Sequence, residues 1–519
     1  MSKPNYFMIS SGAPFWLELS SQLERDFELA FCLTDDRLSS TLRERFEDSQ
    51  LVLAGDLKFG LFDSSVCEPF PPNLRKSSEF ILRQTQAMYS FERCSVGGAI
   101  AFLDRSTLVS SLADFFWSIV QFHKPRFAIA TEAPHTHGDL VLTGVLEAAG
   151  IDILHFQQNG IVPSIRPVLG SNYERVLVRR LLDPEADARR VSFLSQYRPH
   201  VDYFLEQASR DEVVRYEKEL HSKDASTYSG IKSGWRRFYI PYGWLMEERR
   251  QYRDYVRLNG GEVTSRTAPT HAAAVGRRWR LIGSALLKGL EQSRNLRALR
   301  QSLARESVAE LPDEFATFFL QFEPEKTSVP DGGTYGDQLA AIRAAARALS
   351  GKMVLAVREH PTQLTLLARG FRGRSADFYR QVAAIPNVCL LDSSVSRAEL
   401  FARTRLVFTL TGTVGLEARA RGIPVVTLGH AWYLPLEGVF SLDRETEVAA
   451  AVEAAFRWSE RSDGKFGDEL WDMLESDSVV CLLNPSAGSR FKLVEDDVDS
   501  LAAIVRALFS ENSQRALGA

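Results

Sequence analysis

Cysteine is scarce and scattered: Cys32, Cys67, Cys94, Cys389 and Cys481 are the only five in 519 residues. None forms a Cys-x-x-Cys pair and an odd number cannot all pair internally, so no disulfide framework or thiolate zinc site is expected, and reduced structural thiols are. No uncharged apolar run reaches the length needed to span a bilayer, and Met1-Ser2-Lys3-Pro4-Asn5 runs into an expected strand rather than a secretory leader. A cytoplasmic protein is expected, with at most a peripheral attachment at the inner face of the plasma membrane. Internal repeats, low-complexity tracts and recognised nucleic-acid motifs are also missing. With 45% hydrophobic and 25% charged residues and a net charge of −4, the composition is that of an ordinary globular protein and excludes disorder. The length exceeds the usual limit of a single core, so two domains plus additions are expected.

What is present concentrates between Gln321 and Tyr433. Four polar clusters occur there: Gln321-Phe-Glu-Pro-Glu325, Arg358-Glu-His-Pro361, Thr411-Gly-Thr-Val-Gly-Leu-Glu-Ala418 and Gly429-His-Ala-Trp-Tyr433. Each follows a short apolar run, in 315–322, 352–357, 406–410 and 424–428. Helical spacing follows in 335–349, 397–404 and 414–421, and a further apolar run, 388–391, lies between. Strand and helix in alternation read as a doubly wound α/β domain. In such a sheet the strand carboxyl ends line the ligand crevice, and the helix N-termini that follow offer N–H groups to an anion. A phosphate is the expected guest.

The residue types suit that guest. His360, just past a strand, can donate to a phosphoryl oxygen, and Pro361 fixes the backbone beside it. Thr411 and Thr413 can add hydroxyl donors, Gly412 and Gly415 let the main chain approach a ligand, and Glu417 in the first helical turn can accept from a ribose or base. Taken singly, His-Pro is equally a loop corner and Gly-Thr-Val-Gly a tight strand-to-helix turn.

The first 175 residues carry a second α/β unit. Strands are expected over 5–10, 27–33, 51–54, 126–130 and 152–156, and helices over 14–24, 108–122 and 140–149. A polar loop, Glu132-Ala-Pro-His-Thr-His-Gly-Asp139, follows the fourth of these strands. His135 and His137 with the flanking carboxylates resemble a metal-binding cluster, but they belong to one loop with no distant fourth ligand, and no metal site is assigned. Asp139 can equally be the N-cap of the next helix. After the fifth strand, Gln158 and Arg166 sit in a second polar loop, where a guanidinium would suit a sugar carboxylate, or lie at the surface. A helix over 496–509 is expected to cross back to this domain.

Residues 175–310 break the alternation. Between Lys232 and Arg305 there are 16 Lys or Arg against 5 Asp or Glu, a local net of +11, interleaved with Trp235, Phe238, Tyr239, Tyr242, Trp244, Tyr252, Tyr255 and Trp279. Basic and amphipathic aromatic residues in this mixture suit an anionic membrane surface or a lipid-linked acceptor, and equally a solvated helical linker; nucleic acid is not expected.

Gln321-Phe-Glu-Pro-Glu325, Gly332-Gly333, Glu359-His-Pro361, Gly412-Thr-Val-Gly-Leu-Glu-Ala418, Pro424-Val425 and Trp432-Tyr433 together resemble the bacterial capsule polysaccharide biosynthesis family, which includes the retaining β-Kdo transferases. A His-Pro pair followed by a hydroxyl-rich turn is also similar to the CMP site of bacterial sialyltransferases, whose second motif is Ser-Ser or Ser-Thr where this chain has Thr411-Gly412-Thr413. The resemblance implies a GT-B arrangement of two Rossmann-like domains. On that pattern 1–175 is an acceptor and catalytic domain, 176–310 a helical basic insertion, 311–465 a nucleotide-sugar domain and 466–519 a helical tail. It implies a glycosyltransferase that moves a sugar, Kdo from CMP-Kdo, to a glycan or lipid-linked acceptor, with no cofactor beyond the donor. Glu323, Glu325, Arg358, His360, Thr411, Gly412, Thr413, Gly415, Glu417 and Tyr433 are the expected donor contacts, Gln158 and Arg166 the substrate contacts, and Glu132, His135 and Asp139 the catalytic groups. Other readings share the geometry: a different nucleotide-sugar transferase or a hydrolysing sugar-nucleotide epimerase, and a non-catalytic assembly protein that keeps the nucleotide fold.

Overall fold

The computed structural model describes residues 3–10, 15–34, 51–54, 57, 62, 67–94, 102–170, 173–209, 294, 297–298, 301, 308–363, 373–391, 395–441, 448–458, 465–482 and 496–510. They form two α/β domains, each built on its own sheet.

The first sheet has the order β14-β6-β5-β4-β1-β2-β3, with β7 beside β6. Its parallel part is β1 (Asn5–Ser10), β2 (Glu28–Thr34), β3 (Leu51–Leu53), β4 (Phe127–Ala130) and β5 (Asp152–Gln158). β6 (Ser164–Leu169), β7 (Glu174–Arg175) and β14 (Val479–Val480) add an antiparallel edge. The run Tyr6-Phe7-Met8-Ile9 is apolar throughout because both faces are covered. Tyr6 and Met8 pack with α1 (Phe15–Leu23) and the chain's last helix, whereas Phe7 and Ile9 pack with α2 (Ser78–Cys94), α3 (Phe102–His123) and α4 (His137–Ala148).

The second sheet is wholly parallel, in the order β10-β9-β8-β11-β12-β13. It comprises β8 (Phe315–Phe319), β9 (Leu355–Arg358), β10 (Val388–Leu391), β11 (Thr404–Thr409), β12 (Val425–Thr427) and β13 (Val439–Ser441). Along β8, Phe315 and Phe319 face one core while Ala316 and Phe318 face the other. The strand-to-helix alternation read from the sequence is what the fold contains.

Three further helices, α5 (Val178–Leu181), α6 (Pro184–Ser195) and α7 (Arg198–Ser209), follow the first sheet. α8 (Gln338–Ala348), α9 (Ala376–Ala383), α10 (Arg397–Phe401), α11 (Thr413–Arg419) and α12 (Val448–Arg457) belong to the second domain. The chain then returns through α13 (Phe466–Asp477), β14 and α14 (Val498–Phe509). α14 crosses to the first domain as expected: Phe509 stacks on Phe127 at 4.0 Å, and Arg506 pairs with Asp26 at 2.7 Å. The expected tail is thus more than helical, since Val479–Val480 pairs with β6.

A separate apolar cluster joins the halves. Ile161 and Val162 from the β5–β6 hairpin meet Leu416, Trp432, Tyr433 and Leu436 of the second domain and Trp471 and Leu474 of α13. Apart from Arg294, Arg297, Ala298 and Gln301, the basic segment 232–305 lies outside the described residues.

Candidate functional site

The carboxyl ends of both parallel sheets open on one crevice of about 780 Å³, as the strand-end rule requires. From the second domain it is lined by Gln321, Glu325, Lys326, Asp331, Arg358, His360, Arg397, Thr411, Gly412, Thr413, Glu417 and His430, among others; from the first by Glu132, His135, Gln157, Gln158 and Gly160. The domains touch across it, since a Cβ on Gly160 would lie 3.4 Å from the Thr413 methyl.

His360 lines the crevice from the segment that follows β9. Its loop leaves β9 over Glu359, a wholly buried carboxylate that accepts from the His360 main-chain N–H at 2.6 Å, from Arg374 Nε at 3.2 Å and from Tyr379 Oη at 3.0 Å. Burial, with the charges of Arg358, Arg374 and Arg397, pushes the His360 imidazole down to about 3, so it is neutral at pH 7. Nδ1 accepts from the Thr362 N–H at 3.3 Å, which leaves the ring proton on Nε2 as a donor. Arg358 Nε is held by the Val395 carbonyl at 2.9 Å.

At the β11–α11 turn, Gly412 is required by space: a Cβ would meet Gln321 Nε2 at 2.5 Å and Thr409 Oγ1 at 2.9 Å. Thr413 opens α11, and Gly412, its N-cap, offers no side-chain cap, so the first turn is open toward the crevice. Glu417 also lines the crevice, but in an ion pair with Arg397 at 3.1 Å, both nearly buried. Arg397 carries no motif and was not legible in the sequence.

Several expected contacts lie elsewhere. Thr411 reaches the crevice, but its hydroxyl donates to the Thr327 carbonyl at 2.9 Å. Gly415 and Tyr433 brace the turn from behind: a Cβ on Gly415 would collide with Tyr433 Oη at 2.3 Å, and that hydroxyl donates to the Gly412 carbonyl at 2.5 Å. Burial, with the nearby Glu417, raises Tyr433 so that its phenol stays protonated. Glu323 accepts from Gln338 Nε2 at 2.7 Å and lines a smaller neighbouring cavity rather than the main crevice, while Glu325 lines both.

In the first domain Glu132 and His135 reach the crevice and Asp139 does not. Asp139 closes a capping box at α4: its main-chain N–H donates to Thr136 Oγ1, and its carboxylate accepts from the Thr136 N–H at 3.2 Å. His137 is buried against Phe91, with Nε2 3.3 Å from the Leu57 carbonyl, so it does not converge with His135. Among the described residues no group of three or more His, Cys, Asp or Glu could hold a metal ion. Gln158 lines the crevice as expected. Arg166 does not, because it lies in β6 rather than in a loop; it donates to the Trp432 carbonyl and lies 3.4 Å from Asp477. Its work is to hold the domains together.

Lys326 and Asp331 are cleft residues that sequence reasoning missed, whereas His430 comes from the Gly429–Tyr433 cluster. Lys326 directly follows the Gln-Phe-Glu-Pro-Glu cluster and crosses the crevice to Glu132, Nζ to Oε2 at 2.9 Å. Burial works against its charge, but Glu132 and Asp331 outweigh that and raise its affinity for the proton. His135 Nδ1 lies 3.8 Å from the other oxygen of Glu132.

The family model described as "Capsule polysaccharide biosynthesis protein" matches residues 291–447. The resemblance read from the motifs at 321–433 falls inside that match. Similar solved structures include the UDP-GlcNAc 2-epimerase from Methanocaldococcus jannaschii, at 12% identity and a TM-score of 0.24 over 91% of this chain and 99% of that one. The UDP-GlcNAc 2-epimerase from Neisseria meningitidis bound to UDP-GlcNAc is 12% identical, with a TM-score of 0.18 over 97% and 98% of the two chains. The glycotransferase of kitacinnamycin is 11% identical, with a TM-score of 0.19 over 91% and 94%. No curated protein matches the chain. Among the described residues no helix is long and apolar enough to cross a membrane.

Proposed function

We propose that the chain is a glycosyltransferase of capsule or related surface-polysaccharide synthesis, taking a sugar from a nucleotide donor held by the second domain. The observation that carries this reading is the meeting, in one crevice, of the donor set His360, Arg358, Arg397 and Thr413 with Glu132 and His135 of the opposite domain. A neutral imidazole donating from Nε2 and two guanidinium groups suit a nucleotide phosphate that departs as an anion, so this reading needs no metal ion. The family match over 291–447 supports the glycan context.

The finer reading is Kdo transfer from CMP-Kdo with retention. Glu132 is the nucleophile of that reading, because Asp139 is taken up in the helix cap and Glu132 alone of the two faces the crevice. Lys326 holds the Glu132 carboxylate in place, and Gln158 faces the sugar side. Docking of lipid or a lipid-linked acceptor by 232–305, at a membrane surface, rests on that segment's charge and aromatic residues.

Purified protein incubated with a panel of nucleotide sugars and a glycan acceptor tests the proposal. Donor-dependent extension of the acceptor is expected. An epimerised nucleotide sugar would replace it with the epimerase reading, and binding without turnover with the assembly-protein reading.

A further inference from the structure

The crevice contains a second carboxylate whose setting is built from both domains. Asp331 lines the crevice with Lys326, whose charge acts on it while its Nζ is paired with Glu132 at 2.9 Å. Its main chain is fixed at both ends, the N–H donating to the Lys326 carbonyl at 3.0 Å and the carbonyl accepting from the His430 N–H at 2.7 Å. Its Oδ1 accepts from Tyr173 Oη of the first domain at 3.1 Å.

Tyr173 is an unusual donor. Its φ of +54° lies in the left-handed region, which non-glycine residues hold only when their surroundings impose it. The surroundings here are stacked rings across the domain boundary, His430 at 4.4 Å and 15° and His155 at 6.0 Å and 17°. His155 is buried with both ring nitrogens unpartnered, and burial with the Arg83 charge pushes it down to about 3, so it packs as a neutral ring. Burial and the nearby Asp331 raise the Tyr173 phenol well above its ordinary range, so it keeps its proton and can only donate to Asp331. Behind it lies the buried Arg83–Glu147 pair at 2.8 Å.

We propose that Asp331 is the proton-accepting carboxylate of the transfer and that Tyr173 is its positioning residue. The inference rests on the glycosyltransferase reading of the same crevice. In the transfer step the acceptor oxygen bonds to the anomeric carbon as the bond from that carbon to Glu132 breaks, its electron pair returning to the Glu132 carboxylate. The acceptor's hydroxyl proton passes to Asp331, and from there to solvent. Glu132 and Asp331 then divide the two carboxylate roles, one from each domain, and the Lys326 charge acts on both. The charged and titratable groups around Asp331 are Lys326, Tyr173, His430 and His135, with Glu132 and Glu325 acting through Lys326. Burial raises the Asp331 carboxyl above the ordinary range against the opposing pull of Lys326, which makes it a stronger proton acceptor than an ordinary aspartate.

The test is the pH dependence of transfer in wild type, Asp331→Asn and Tyr173→Phe. Asp331→Asn is expected to lower turnover by about 10²- to 10⁴-fold, the range for loss of an acid–base group, with donor affinity retained. Tyr173→Phe is expected to move the acidic limb of the wild-type profile to higher pH, because the carboxylate loses a hydrogen bond that favours its charged form. A tyrosine that only supports packing would lower the yield of folded protein and leave that limb where it was. Full turnover in Asp331→Asn, or an unmoved limb in Tyr173→Phe, overturns the inference. Should Asp331→Asn fail to fold, carboxyl ¹³C signals in aspartate-labelled wild type and Tyr173→Phe decide it: one aspartate titrating above the ordinary range and moving further up in the variant supports it, and none doing so overturns it. Wild-type protein that uses no donor of the panel sinks the transferase reading itself, whereas an Asp331→Asn enzyme that transfers normally sinks this inference alone.

Discussion

The two walls of the crevice are built on similar sheets but use their polar residues differently. In the second domain each of the four polar motifs delivers at least one side chain to the crevice: Glu325 after β8, His360 after β9, Thr413 after β11 and His430 after β12. In the first domain the loop after β4 delivers Glu132 and His135 but folds its last acid back into the cap of α4, and the segment after β5 turns into an antiparallel hairpin whose Arg166 points at the neighbouring domain. Each wall also has its own buried arginine–carboxylate pair, Arg374–Glu359 at 3.2 Å beneath the His360 loop and Arg83–Glu147 at 2.8 Å behind Tyr173. A strand end is therefore a reliable place to look for a ligand contact. Whether a particular polar residue there faces the ligand depends on what its local backbone needs first.

The comparison breaks most visibly at the buried pairs. Arg374→Ala leaves the buried Glu359 carboxylate without its guanidinium partner, and should cost about 3–5 kcal/mol in urea unfolding while releasing the His360 loop. A loss within the scatter of surface substitutions would show that the loop stands without its support.

Glu132 and Asp139, seven residues apart on one loop, should then part company. Glu132→Gln is expected to cut turnover at least about a hundredfold with donor binding intact. Asp139→Ala should leave turnover per folded molecule unchanged and lower stability by about 0.5–2 kcal/mol, as for a lost helix cap. Mass spectrometry of enzyme trapped with donor should find the glycosyl adduct on Glu132; an adduct elsewhere, or inverted product stereochemistry, ends the retaining mechanism.

His360 gives a smaller effect with a pH signature. His360→Ala should weaken donor binding by about 1.5–3 kcal/mol in calorimetry, the range for a hydrogen bond to a charged group. Its folded-state value, about 3, lies below the ordinary 6.5, so the unfolded chain binds the extra proton between these values. The contribution of neutral His360 to stability is therefore complete above about pH 6.5 and is lost as pH falls toward 3. The stability gap between wild type and His360→Ala should move in that window, and a gap independent of pH would mean that His360 is exposed to water.

Much of this protein was written in its pattern. Alternating apolar runs and helical spacing determined the order of strands and helices, because a parallel strand covered on both faces must be apolar throughout and a covering helix must repeat near 3.6 residues. The clusters at Gln321, His360 and Thr411 were legible for the same reason: each directly follows a strand, so its place at the crevice is a matter of sequence distance. Arg397, Lys326, Asp331 and Tyr173 were not. Their roles come from partners far away in the chain, with Lys326 meeting Glu132 and Asp331 meeting Tyr173 only once the two sheets are placed face to face. Nor did the chain order show that Arg166 would be a link between domains or that Asp139 would be a cap. Those choices depend on which donor or acceptor lies within about 3 Å after folding, and a hydrogen bond of that length is decided by tertiary packing.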